Sequence, residues 1–258
     1  MAWVLDCDGV IWLSEEPIPG APEAVRRLRR AGERVVFLTN NSFPRLSDHL
    51  AKLERLGIPT GPDDVISSAM AAAALFEPGE RVLVLGGPGI VEALEASGVE
   101  PVVPGAGEGD ERVDAVVVGF DLEFDFRRLA AATRALRSGA RLVGTNEDAT
   151  FPTPQGLLPG AGSLLSAVAT AGGVRPTIAG KPHVPVADLV RRRVGEVATV
   201  VGDRPSTDGG LARRLGARFA LVLTGITPPG HGPVDPEPDI EAADLASLVR
   251  GELDGRTG

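Results

Sequence analysis

Short apolar runs of strand length alternate along this chain with longer stretches in which apolar residues recur every three or four positions. Residues 2–5, 34–38, 64–67, 81–85, 114–118, 140–143, 198–201 and 218–223 predict strands. Residues 22–31, 46–56, 126–138, 186–194 and 207–215 predict helices, and a last one falls at 241–253, beyond a Pro- and Gly-rich loop at 228–238. Gly32, Gly57, Gly139, Gly195 and Gly216 each stand just past a predicted helix, where a left-handed residue ends the helix at little cost. Strands that read apolar on both faces and alternate with helices predict an α/β fold, a doubly wound parallel sheet covered on both sides.

Three of the predicted strands end in polar clusters rather than in generic turns. The first ends at Asp6-Cys7-Asp8-Gly9, the second at Thr39-Asn40-Asn41-Ser42, and a late one at Gly202-Asp203-Arg204 with Thr207-Asp208 after it. The ligand crevice of an open α/β sheet lies beyond the carboxyl ends of its strands, so clusters distant in sequence can converge there. None of them falls between residues 79 and 175, a stretch with its own strands and helices and with two Pro/Gly-rich segments, 101–109 and 152–162. That stretch reads as an inserted domain, which leaves a discontinuous core of 1–78 and 176–258. No internal repeat interrupts this organisation.

Composition narrows the function classes. The chain has 258 residues, 43% hydrophobic and 24% charged, enough to bury a large core. A net charge of -9 and a pI near 4.9 argue against a nucleic-acid or membrane-surface partner, so an anionic substrate must be held by local charge. No apolar run reaches the length of a membrane span and no signal peptide precedes the first strand, which predicts a cytoplasmic protein. The lone cysteine, Cys7, excludes an internal disulfide and reads as a small apolar residue of the sheet. Of 26 basic residues only Lys52 and Lys181 are lysines, so Lys181 invites a specific explanation.

Two residues apart in a strand, Asp6 and Asp8 would aim their carboxylates at one place, an arrangement that costs energy unless a cation or a shared proton uses it. With Asp203 they supply hard oxygen ligands suited to Mg²⁺. The three histidines, His49, His183 and His231, lack ligand spacing, which argues against zinc. Carboxylates, a cation, a lysine and a ring of hydroxyl and amide donors suit phosphoryl transfer. Asp6 attacks phosphorus, and Asp8 protonates the leaving alcohol and later activates water. Each piece alone has an ordinary explanation as a turn, a helix cap or a solvated charge; their order and joint chemistry favour the site.

These segments carry a resemblance. Asp6-Cys7-Asp8-Gly9-Val10-Ile11, Leu38-Thr39-Asn40-Asn41-Ser42, Gly180-Lys181-Pro182 and Gly202-Asp203-Arg204 with Thr207-Asp208 are similar to the four motifs of the haloacid-dehalogenase superfamily of aspartyl-phosphate hydrolases. Thr145-Asn146-x-Asp148 and Leu158-Pro159-Gly160-x-Gly162 extend the likeness to its NagD-like branch, across nearly the whole chain. The resemblance implies a Rossmann-like core with an α/β cap at 79–175 that closes over the site. It also implies a Mg²⁺-dependent phosphatase acting on a small phosphorylated metabolite.

Residue by residue, it makes Asp6 nucleophile and metal ligand, Asp8 acid/base with its backbone carbonyl on the metal, and Asp203 the remaining protein ligand. Thr39 and the backbone around Asn40 and Asn41 hold the phosphoryl, Lys181 bridges it to Asp6, and Asp208 orients Lys181 or a metal-bound water. Phe151, Gln155 and Leu157 of the cap are expected to meet the leaving group, and the absence of any charged side chain from 149 to 162 favours a neutral or aromatic one. Caps of this type often contribute homodimer contacts. Two departures from the family pattern are Gly209-Gly210 where an apolar residue is usual, and His183. A phosphotransferase would use the same residues, and a noncatalytic phosphate sensor could use the same scaffold.

Overall fold

The computed structural model of the protein describes residues 2–104, 112–153 and 156–255. In chain order its main elements are β1 (Ala2–Asp6), α1 (Ala21–Arg30), β2 (Arg34–Thr39), α2 (Leu46–Arg55), β3 (Val65–Ser67), α3 (Ser68–Ala73), β4 (Arg81–Leu85), α4 (Pro88–Ala96), β5 (Glu100–Val102) and β6 (Ala115–Val118). They continue with α5 (Phe126–Arg137), β7 (Arg141–Gly144), β8 (Thr150–Thr153), β9 (Gly156–Pro159), α6 (Ala161–Gly172), β10 (Thr177–Ile178), α7 (Val184–Val194), β11 (Val197–Gly202), α8 (Gly210–Leu215), β12 (Arg218–Val222), β13 (Ile240–Ala242) and α9 (Leu245–Asp254). The expected α/β fold is present, as parallel sheets with helices. The chain forms two compact units, Met1–Thr39 with Leu46–Ile66 and Ala187–Gly258, and Asn40–Arg45 with Ser67–Val186.

The first unit is built on a six-stranded sheet in the order β13-β12-β11-β1-β2-β3. Every strand pair from β13 to β2 is parallel, with Leu5 opposite Val201 on one side and Phe37 on the other. β1 is apolar on both faces because both are covered: Ala2, Trp3, Val4 and Leu5 are all buried. α1 turns Ala21, Ala24, Val25 and Leu28 inward at helical spacing, with Pro22 in its first turn where the missing N–H costs nothing. Cys7 lies in the same apolar core, as its expected role required. The chain leaves β1 in one direction for β2 and β3 and returns in the other for β11, β12 and β13, so β1 and β11 flank the point where strand order reverses.

The second unit has a five-stranded parallel sheet, β10-β7-β6-β4-β5, and an antiparallel pair, β8 and β9, that sets Phe151 opposite Leu158. Its core joins Leu83, Leu85, Val116 and Val118 of the sheet to Leu136 of α5 and to Leu165 and Val168 of α6.

The last helix differs from the expected 241–253. Ile240–Ala242 pairs with β12 as a strand, and the helix starts after Asp244, whose carboxylate accepts from the Ser247 N–H at 2.6 Å as an N-terminal cap. Gly209 also has a reason. After Asp203 the chain makes one π-helical turn, Pro205–Gly209, before α8, and a Cβ at Gly209 would lie 2.9 Å from the Phe219 ring. The helix begins late because the turn that carries Asp208 occupies its expected first residues.

Candidate active site

β1 and β11 deliver Asp6 and Asp203 to neighbouring strand ends, and the turn after β11 returns Asp208 to the same place. One carboxylate oxygen of each lies within 4.8 Å of the others. Asp203 and Asp208 are 5% and 1% exposed, and Asp6 is half-buried. Asp203 is fixed from several sides: its Oδ2 accepts from the Ile226 N–H at 2.6 Å, and its carbonyl accepts from the Thr227 hydroxyl at 2.6 Å. Glycines give it room, since a Cβ at Gly9 would fall 2.3 Å from Asp203 Oδ2 and one at Gly225 would fall 1.9 Å from it.

Three carboxylates with no histidine or thiol among them form a hard oxygen donor set. Octahedral Mg²⁺ with ligands at about 2.1 Å places neighbouring oxygens about 3–4 Å apart, a spread these side chains reach with little movement. The donors fit Mg²⁺. They include Asp208, expected to orient Lys181 or a water, and not the carboxylate of Asp8.

The strand alternation that would aim Asp6 and Asp8 alike stops at Asp6. The Cys7 N–H turns back to Asp6 Oδ1 at 2.8 Å, the Ile11 N–H donates to the Cys7 carbonyl at 2.8 Å, and Gly9 takes a φ of +81° that favours glycine. Asp8 is therefore exposed at the top of a tight turn, and its Oδ1 accepts from Trp12 Nε1 at 2.9 Å. Trp12–Leu13 and Glu16–Pro17 form a two-stranded ribbon directly after that turn. Thr39, the last residue of β2, is buried.

In the second unit the polar groups converge on Asn40. Its Oδ1 accepts from the Lys181 N–H at 2.9 Å, its Nδ2 donates to the Lys181 carbonyl and to Asp148 Oδ2, both at 3.3 Å, and its carbonyl accepts from Ser68 Oγ at 2.7 Å and Asn146 Nδ2 at 2.9 Å. The Asn40 side chain thus spends its hydrogen-bonding capacity on protein and joins the Asn146–Asp148 and Lys181 segments. A Cβ at Gly180 would lie 2.4 Å from the Thr145 carbonyl, so the segments meet through a glycine. Lys181 is 3% exposed. His183 pairs with Glu147 at 2.9 Å, a second tie between the same segments. Asn41 is exposed, and its Oδ1 accepts from the Phe43 N–H at 3.1 Å.

Phe43, Phe120 and Phe151 form an edge-to-face row, with centroids 5.8 Å apart for the first pair and 4.9 Å for the second. Of the three cap residues expected to meet a leaving group, Phe151 is half-buried in this row, Leu157 lies on β9, and Gln155 lies outside the described residues. Sequence reading missed Ser68, Trp12, Phe43 and Phe120. An aromatic four residues after Asp8 was a findable signal; the others depend on contacts far apart in sequence.

Comparison with known proteins agrees with this geometry. Residues 3–100 match the family model described as haloacid dehalogenase-like hydrolase, and residues 178–248 match one described as HAD-hydrolase-like. Human glycerol-3-phosphate phosphatase is 38% identical over an alignment covering 87% of this chain and 79% of that one. Among solved structures, p-nitrophenyl phosphatase from Archaeoglobus fulgidus is 30% identical with a TM-score of 0.88, covering 97% of this chain and 98% of that one. Glycerol phosphate phosphatase from Mycobacterium tuberculosis, in complex with magnesium, is 35% identical with a TM-score of 0.84, covering 96% of this chain and 75% of that one.

Proposed function

We propose that the chain, a phosphatase that belongs to the NagD-like haloacid dehalogenase-like hydrolases, releases phosphate from a small phosphomonoester through an aspartyl-phosphate on Asp6. The observation that carries this reading is the meeting of Asp6, Asp203 and Asp208 beyond the ends of β1 and β11. Asp6 attacks phosphorus with one carboxylate oxygen, and the bond from phosphorus to the leaving alcohol breaks. Asp8 gives the departing oxygen its proton, then takes one from the water that cleaves the acyl phosphate. Thr39 and the backbone of residues 40–41 hold the phosphoryl oxygens, and the Lys181 ammonium offsets their charge. Asp6 and Asp203, with the Asp8 carbonyl and with Asp208 as the third carboxylate of the donor set, would hold Mg²⁺, which would neutralise phosphate charge.

Residues 79–175 serve in this reading as the cap that selects the leaving group. A neutral alcohol or phenol fits best, because residues 149–162 carry no charge and Phe151 packs on Phe120. The human and mycobacterial relatives named for glycerol phosphate support a small polyol ester as the first candidate. The acidic composition and single cysteine support a cytoplasmic enzyme, with homodimer contacts assigned to the cap. No helix among the described residues is long and apolar enough to cross a membrane.

The test is phosphate release from glycerol 3-phosphate, p-nitrophenyl phosphate, phosphoglycolate, pyridoxal phosphate, sugar phosphates and nucleotides, each with Mg²⁺ and with EDTA. Release from at least one ester should fall by at least about a hundredfold in EDTA and return when Mg²⁺ is restored. Folded protein that releases no phosphate from any of them, or releases it equally in EDTA, contradicts the reading. Transfer to added alcohols in preference to water would make it a phosphotransferase.

A further inference from the structure

Trp12 is 3% exposed, yet its N–H does not stay within the apolar core around it. It donates to Asp8 Oδ1 at 2.9 Å. The residue is held from other directions as well. The Trp12 carbonyl accepts from the Gly9 N–H at 2.8 Å, and the Lys52 ammonium sits 4.5 Å from the ring centroid. Lys52 Nζ in turn donates to the Ser14 carbonyl at 2.5 Å and pairs with Glu15 at 3.2 Å. One of the chain's only two lysines is thus committed to the face of the indole that holds Asp8.

We propose that Trp12, backed by Lys52, is the positioning residue of the general acid Asp8, an inference that rests on the acid role given to Asp8 above. An indole N–H can only donate, so the oxygen it holds must act as acceptor whether Asp8 is protonated or not. The transferable proton is therefore confined to Oδ2, and the exposed carboxyl cannot rotate to exchange that oxygen with the one the indole holds. The cation over the ring draws electron density from it and strengthens the N–H as a donor.

The consequence depends on the leaving group. As the Asp6 oxygen bonds to phosphorus and the ester P–O bond breaks, its electron pair passes to the leaving oxygen. An alkoxide needs the Asp8 proton at that moment, whereas p-nitrophenolate departs as a stable anion. A residue that only fills the core would affect both esters alike when altered.

The experiment compares kcat/KM for glycerol 3-phosphate and p-nitrophenyl phosphate, with saturating Mg²⁺, in wild type, Trp12→Phe, Lys52→Met and Asp8→Asn. This parameter reports on steps up to phosphoryl transfer and not on later hydrolysis of the acyl phosphate. Trp12→Phe should lose about tenfold or more with the alkyl ester, and less than about twofold with the aryl ester, the size expected for a lost hydrogen bond to a charged group. Lys52→Met should move the same ratio by about two- to threefold. Replacing Trp12 by 3-benzothienylalanine, which keeps the shape and removes the N–H, should reproduce the Trp12→Phe ratio and covers the case in which the phenylalanine variant does not fold.

Equal losses on both esters, or no loss, overturn the proposal. Asp8→Asn separates the two levels of inference. If its loss is not larger with the alkyl ester, the acid role of Asp8 fails; if it is larger while the Trp12 variants show no selectivity, only the Trp12 inference fails.

Discussion

Asp6→Asn is expected to lower phosphate release by at least about 10³-fold, the scale seen when a nucleophile is removed, while the protein stays folded. An amide cannot attack phosphorus, and nothing else in the site replaces the lost carboxylate. The fold should not suffer, because Asp6 lies at a strand end and crowds other carboxylates. With oxygens within 4.8 Å, two full charges repel by roughly 3 kcal/mol at an effective dielectric constant of about 20. Without metal the variant should therefore melt at or above the wild-type temperature. Mg²⁺ should raise the melting temperature of wild type more than that of Asp6→Asn, because one ligand is gone. Full activity in the variant, or its unfolding, would contradict the role given to Asp6.

Gly225→Ala should also be damaging, from a residue with no chemistry of its own. Its Cβ would lie 1.9 Å from Asp203 Oδ2 and 2.6 Å from Asp203 Cγ, so the carboxylate must leave its place against the Ile226 N–H. Overpacking of this kind costs about 1–3 kcal/mol of stability. Activity should also fall, by about a hundredfold, because a displaced ligand weakens both cation binding and the geometry of the site. Higher Mg²⁺ should recover part of it.

Gly9→Ala adds a backbone cost of about 1–2 kcal/mol, since Gly9 has a φ of +81° as well as a crowded Cβ position 2.3 Å from Asp203 Oδ2. Gly32→Ala is the control. Gly32 has a φ of +79° with nothing within 4 Å of its Cβ position, so it should lose stability alone and keep full activity. If Gly225→Ala were as active as Gly32→Ala, the packing of Asp203 would not matter for function.

The parts of the fold legible in the sequence were those with one-dimensional signals. β1, β2, β11 and β12 are apolar on both faces, and the glycines after α1, α5 and α8 mark the helix ends. α4 and α6 escaped because their sequences, PGIVEALEA and AGSLLSAVATAG, begin among glycines and small residues and, in α6, lack a charged face. The ribbon of Trp12–Leu13 with Glu16–Pro17 is too short for any period to register.

The site divides in the same way. Asp6 and Asp203 were readable because each follows an apolar strand run, and Asp208 because it follows Asp203 in the same polar cluster. Their grouping was not fully readable. Whether Asp8 or Asp208 joins Asp6 depends on where β1 stops and on the turn after β11, which are decided by the Cys7 and Arg204 backbone. Contacts such as Trp12 with Lys52, or Phe43 with Phe120 and Phe151, join residues whose identities predict only burial.

The aspartyl-phosphate on Asp6 is tested most directly by chemical trapping. Enzyme turning over its best substrate with Mg²⁺ is quenched in acid, treated with borohydride, which reduces an acyl phosphate to the alcohol, and digested for mass spectrometry. The peptide containing Asp6 should carry homoserine in place of that aspartate, only when substrate and Mg²⁺ were both present and never in Asp6→Asn. An unmodified Asp6 in enzyme trapped during steady turnover at low temperature, or a reduced aspartate elsewhere in the chain, would contradict it.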